Sequence, residues 1–157
     1  MTTTCQVCAR PIKAKSGRIA HHGYRRPWFR SGVQTSSCCG AKELPYEVSC
    51  EFLALVLGNV RAQLVKAISE EKQFTADPPM VLEFQERDSW GNKVGALRTY
   101  TRPDGFVNDG VRGQFGRGPY GYRYHAELRN RTGLVSSLEQ EAAFLATRLA
   151  DWTGVSK

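Results

Sequence analysis

Apolar residues recur at three- and four-residue steps through residues 47–72. Leu53, Val56, Val60, Leu64 and Ile68 fall on one face, with Arg61, Lys66, Glu70 and Glu71 on the other. That period predicts an amphipathic helix. Gly58 costs it about 1 kcal/mol, and the prolines of "TADPP" (75–79) end it, because proline cannot continue a helix. The pattern then changes. "MVLEFQERDSWGNKVGALRTYTRPDG" (80–105) reads as two strands joined at Trp90-Gly91-Asn92, with a second turn at Pro103-Asp104-Gly105. "PYGYRYHAEL" (119–128) alternates Tyr120, Tyr122 and Tyr124 with Gly121, Arg123 and His125, which predicts a strand with one aromatic face. Last comes "SSLEQEAAFLATRLADW" (136–152), a helix whose Ser136 and Glu139 fit a capping box. Leu138, Ala142, Leu145, Leu149 and Trp152 form its apolar stripe. The stripe suits a core, or a homodimer formed through this C-terminal helix.

One stretch fits neither period. "DGFVNDGVRGQFGRGPYGYR" (104–123) holds six glycines and sets Arg112, Arg117 and Arg123 among Phe115, Tyr120 and Tyr122. It reads as a long loop between strands. Arginine and aromatic side chains on such a backbone also suit stacking on unpaired bases.

The first quarter is different again. Four of the five cysteines and two of the three histidines lie within residues 5–39. No signal-like leader is visible, so a reducing cytoplasm is expected. There, clustered cysteines bind metal more often than they form disulfides. Cys5 and Cys8 form a C-x2-C knuckle. His21 or His22 and Cys38 or Cys39 can supply the other half, and the preferred set is Cys5, Cys8, His22 and Cys38. Three thiolates and an imidazole suit Zn2+, and four protein ligands leave no open position, so the site reads as structural. Cys50 lies in the apolar helical pattern and is expected to be a buried thiol. The fold class that follows is α+β: a zinc module over 1–46, then an α+β domain over 47–157 with a helix, an antiparallel sheet and a C-terminal helix.

"CQVC", "IAHHGY", "RP", "QTSSCCGA" and "PYEVS" resemble a group of small zinc-binding proteins from phages and proteobacterial genomes, which share a C-x2-C, an I-A-H-H-G-Y and an S-C-x-G-A. The resemblance covers residues 5–49. It implies a phage or mobile-element setting and supports Cys5, Cys8, one histidine and Cys38 as ligands. It implies no activity.

Charge sharpens the picture. The net charge is +7, and residues 1–46 alone sum to +7, with eight Lys/Arg against Glu43. Clustered cations favour phosphate, and "HHGYRRPWFR" sets Arg25, Arg26 and Arg30 beside Tyr24, Trp28 and Phe29. The expectation is a non-catalytic, zinc-stabilised protein that binds DNA or RNA through Arg25, Arg26, Trp28, Arg30, Arg117 and Arg123. The alternative is a zinc-containing interaction module that engages a host or defence protein. No H-E-x-x-H, Walker loop, G-x-S-x-G or deaminase motif argues for an enzyme. No apolar run approaches the roughly 18–20 residues of a membrane span, so no membrane partner is expected.

Overall fold

A computed structural model describes residues 2–24, 37–106 and 118–154. It is α+β. Three short strands, β1 (Thr2–Thr4), β2 (Pro11–Lys15) and β3 (Arg18–Ile19), form an antiparallel sheet in that order. A long helix α1 (Glu51–Ala76) follows, then the antiparallel pair β4 (Val81–Arg87) and β5 (Lys93–Thr101), then a second long helix α2 (Pro119–Ala150).

The compact units do not follow chain order. Residues 1–65 and 136–157 make one, and residues 66–135 make the other. The sequence boundary at residue 46 marks the end of the Cys/His segment. The compact unit around that segment is larger, because it recruits the first half of α1 and the last half of α2.

In the first unit, Leu53, Leu57 and Val60 of α1 are buried, as are Leu138 and Leu145 of α2. Two residues of the C-terminal apolar stripe are thus buried in the chain's own unit, while Ala142, Leu149 and Trp152 are half-buried. In the second unit, Phe74, Leu82, Tyr120 and Tyr124 form the core, with Tyr100, Phe106 and Leu128 packed on it. Phe74 stacks on Tyr124 at 4.9 Å between centroids, and Phe106 meets both tyrosines edge-on. Such aromatic geometry adds to the area buried.

The hairpin turn is built by Asp88. Its Oδ1 accepts the backbone N–H groups of Trp90 (2.8 Å) and Asn92 (2.9 Å), while Gly91 takes a left-handed φ of 85° that suits glycine. The turn at 103–106 closes by Phe106 N–H donating to the Pro103 carbonyl, with Gly105 at φ 71°.

Two expectations are corrected. Residues 119–125 are helical, not a strand, and α2 begins at Pro119 rather than at the capping box. The buried tyrosines are Tyr120 and Tyr124, one helical turn apart, while Tyr122 is 65% exposed. Pro119 stands at the first helical position, where its missing N–H costs nothing. Ser136 lies mid-helix, where its hydroxyl accepts the Gln140 side-chain amide at 3.3 Å. Second, α1 is long and apolar enough to cross a membrane by length and composition. A search for uninterrupted apolar runs misses it, because Gly58, Asn59, Arg61 and Gln63 break the run without offsetting the leucines and valines.

Candidate metal centre

The knuckle begins where β1 ends. Cys5 N–H donates to the Arg10 carbonyl (3.0 Å) and Ala9 N–H to the Cys5 carbonyl (3.2 Å), which folds Cys5–Arg10 into a tight reversal. Ala9 takes a left-handed φ of 58° there. Pairing of β1 with β2 clamps both ends of the reversal.

The second half arrives on two other segments. Ala20 N–H donates to the Lys13 carbonyl (3.1 Å), which carries the β3 pairing forward to His22. Cys38 N–H then donates to the His22 carbonyl (2.9 Å), and Gly23 bridges Ser37. Arg10 Nη1 donates to the Gly23 carbonyl at 3.0 Å, tying knuckle and histidine segment together.

These contacts bring Cys5, Cys8, His22 and Cys38 together, all buried, with their ligand atoms within 4.8 Å of one another. Cys5 Sγ lies 3.8 Å from Cys38 Sγ, and Cys8 Sγ lies 3.3 Å from His22 Nε2. A tetrahedron with metal–sulfur bonds of about 2.3 Å has sulfur–sulfur edges of about 3.8 Å. The first distance is that edge, and the second is slightly shorter than a sulfur–nitrogen edge. The donor set fits a metal ion.

His22 is oriented for the task. Its Nδ1 lies 2.9 Å from the Ala20 carbonyl, to which only a protonated Nδ1 can donate. That leaves the Nε2 lone pair facing the sulfurs, the usual outer hydrogen bond of a metal-binding histidine. His21 points elsewhere and meets Ser37 Oγ through Nε2 at 2.6 Å.

The sulfurs also lean on one another. Hydrogen bonds from the Cys38 and Cys8 thiols hold Cys5 far below an ordinary thiol. Cys38 is pushed up by its contacts with Cys39 and Cys5. Without a cation the cluster cannot carry three adjacent negative charges, whereas a divalent ion lets every thiol ionise. Cys39 is exposed and Cys50 half-buried, and neither joins the cluster.

Three supporting residues escape sequence reading. Gly40 passes so close that a Cβ there would stand 2.6 Å from Cys5 Sγ and 3.2 Å from Val7 Cγ2. The Gln6 side chain, buried between the paired cysteines, donates to the Leu44 carbonyl (2.8 Å) and accepts Leu53 N–H at the start of α1 (3.0 Å). Arg148 of α2 donates to the Gln6 carbonyl (3.1 Å) and the Cys5 carbonyl (3.2 Å) while stacking on Tyr46. The "CCGA" string hints at Gly40. A glutamine and an arginine at opposite ends of the chain carry no such signal.

Of the expected binding residues, Arg25, Arg26, Trp28, Arg30 and Arg117 lie outside the described residues. Arg123 is engaged within the chain: its guanidinium lies 3.7 Å from the centre of the Phe84 ring and pairs with Glu127.

No protein-family model matches the chain, and neither a curated protein nor a solved structure is found to be similar to it.

Proposed function

We propose that this chain is a zinc-stabilised, non-catalytic nucleic-acid-binding protein of the cytoplasm. Zinc is favoured by the donor set: three thiolates and one imidazole in a closed tetrahedron are borderline-soft ligands that need no redox chemistry. With four protein ligands, the ion is left no position for water or substrate, so its role is to hold the fold. The resemblance of residues 5–49 to phage-encoded zinc-binding proteins accords with this reading.

The observation that carries nucleic-acid binding is the surplus of cations over acids in the Cys/His segment. Among the described residues, the ion pairs are Lys66–Glu70, Arg98–Glu86, Arg102–Asp77 and Arg123–Glu127, all within the unit of residues 66–135. Arg10, Lys13, Arg18 and Lys42, in the metal-bearing unit, have no carboxylate partner among those residues. Their segment carries +7, and three thiolates with Zn2+ take away only one charge. Unpaired, clustered cations are what a phosphate backbone displaces counterions to reach.

The test is a titration with mixed-sequence DNA and RNA oligonucleotides between about 50 and 200 mM salt. Binding that weakens steeply with salt supports the reading. No binding at either concentration sinks it.

A second reading, a protein-interaction module, is favoured by the apolar surface of the same unit. Val48, Leu55 and Val65 stand exposed along and before the first half of α1. Recognition through such a surface would change little with salt.

A further inference from the structure

We propose that the outer face of the β1–β3 sheet, centred on Lys13, Arg18 and Lys42, is the surface that grips the phosphodiester backbone. This rests on the nucleic-acid reading above and gives it a place. It differs from the arginine-aromatic segment 24–30 singled out in the sequence.

Strand register defines the face. Thr3 pairs with Ile12, and Ala14 with Ile19; these residues are buried or half-buried, with Ile19 almost fully enclosed. The alternate positions turn outward: Thr2 opposite Lys13, and Arg18, are all exposed. The same register sets Lys15 directly opposite Arg18.

Lys42 belongs to the same surface. Arg18 Nη1 donates to the Lys42 carbonyl at 3.0 Å, and Lys42 N–H donates to the Ile19 carbonyl at 2.8 Å. The first bond fixes the guanidinium in place and leaves the rest of its donor fork for an outside acceptor, a geometry that suits phosphate. Glu43 and Glu51 line the cavity beside Arg18, yet neither reaches ion-pair distance of it.

The metal centre stiffens this face. Cys5 leaves the end of β1 and His22 lies three residues beyond β3, so one ion ties both margins of the sheet. A surface held rigid before binding loses less entropy on binding.

The test compares wild type with Lys13→Gln/Arg18→Gln, and with Lys66→Gln/Arg98→Gln as control, on the zinc-loaded full chain. Labelled mixed-sequence DNA and RNA oligonucleotides are titrated at two salt concentrations. Each lost phosphate contact should lower the log–log salt slope by about 0.7 to 0.9, so the sheet variant should lose roughly 1.4 to 1.8. The control should keep the wild-type slope. A footprint on the unmodified protein guards against misfolding of the variant: oligonucleotide should shield Lys13 and Lys42 from acetylation and leave Lys66 and Lys93 reactive. An unchanged slope in a folded sheet variant, or shielding confined to other lysines, overturns this location while the nucleic-acid reading stands. Wild type that binds no oligonucleotide overturns both. So does wild type that binds phosphatidylserine vesicles instead, since the face would then serve a membrane surface.

Discussion

Arg148 holds the backbone of Cys5 from 143 positions away: its Nη2 donates to the Cys5 carbonyl at 3.2 Å, and its Nε serves the next carbonyl, that of Gln6, at 3.1 Å. The guanidinium also lies 4.1 Å from the centre of the Tyr46 ring. One side chain thus secures the knuckle to the C-terminal helix by two charge-assisted hydrogen bonds and a stacking contact.

Removing it should be costly. Arg148→Ala leaves the Gln6 carbonyl without its partner and the Cys5 carbonyl with Ala9 N–H alone, for an expected loss of about 1–3 kcal/mol in the stability of its unit. Arg148→Lys keeps the charge and gives up the fork, and should recover only part of this. Chemical denaturation monitored through Trp152, whose indole N–H donates to the Tyr46 carbonyl at 2.7 Å, reads the change. Equal stability of Arg148→Ala and wild type would remove the clamp from the account.

Metal content offers a direct check on the cluster. The purified chain should carry one zinc, and Cys5→Ser or Cys8→Ser should abolish its retention, because a tetrahedron missing a thiolate loses most of its affinity. Cys39→Ser and Cys50→Ser should leave it intact, since neither sulfur belongs to the cluster. Elemental analysis after gentle purification decides. Zinc lost from the Cys39→Ser protein would mean that the exposed neighbour, not Cys38, is the ligand.

Gly40 should tolerate no side chain. A methyl group would sit 2.6 Å from Cys5 Sγ, so the backbone or the sulfur has to move. Gly40→Ala is expected to weaken metal affinity by about 10- to 100-fold, as loss of a support around a metal does. Competition with a chromophoric chelator gives the affinity, and Co2+ substitution reports whether the tetrahedral field is distorted. Wild-type affinity and spectrum would refute the close approach.

The tyrosines make a prediction about alkaline pH. Burial raises Tyr24 above the ordinary phenol range, with the charge of Glu141 adding to it, and burial likewise raises Tyr46, Tyr120 and Tyr124. A raised phenol pKa means that the folded chain holds its protons more tightly than the unfolded one. This stabilisation is complete below the unfolded value of about 10 and is lost as pH climbs beyond it. These four rings should therefore ionise in step with unfolding of their own units. Phenolate absorbance followed alongside far-ultraviolet circular dichroism tests this. Ionisation of all six tyrosines near pH 10 with helical signal retained would contradict it.

Where local pattern decides structure, the sequence was a sufficient guide. The α1 helix, the hairpin at Trp90–Asn92 and the knuckle spacing of Cys5 and Cys8 all depend on near neighbours, whereas His22 is set apart from His21, and Cys38 from Cys39, by the fold. The first half of α2 was misread because Tyr120, Tyr122 and Tyr124 satisfy period two as well as an i, i+4 pair. Only tertiary burial of Tyr120 and Tyr124 against Phe74 and Phe106 selects the helix. The roles of Gln6 and Arg148 were illegible for another reason. Each serves backbone groups far away in the chain, and nothing in a hydrogen-bonding side chain announces which carbonyl it will meet.

The discontinuous unit that carries the cluster also sets an order of events at the ribosome. All four ligands have been synthesised once Cys38 is made, but the arginine that braces their knuckle is Arg148. At about 5–20 residues per second, the nascent thiols wait roughly 5 to 20 seconds for it. During that interval residues 66–135 emerge and can fold as a unit of their own. An ion captured early would protect the thiols from oxidation and hold the amino-terminal strands in register until the last helix arrives.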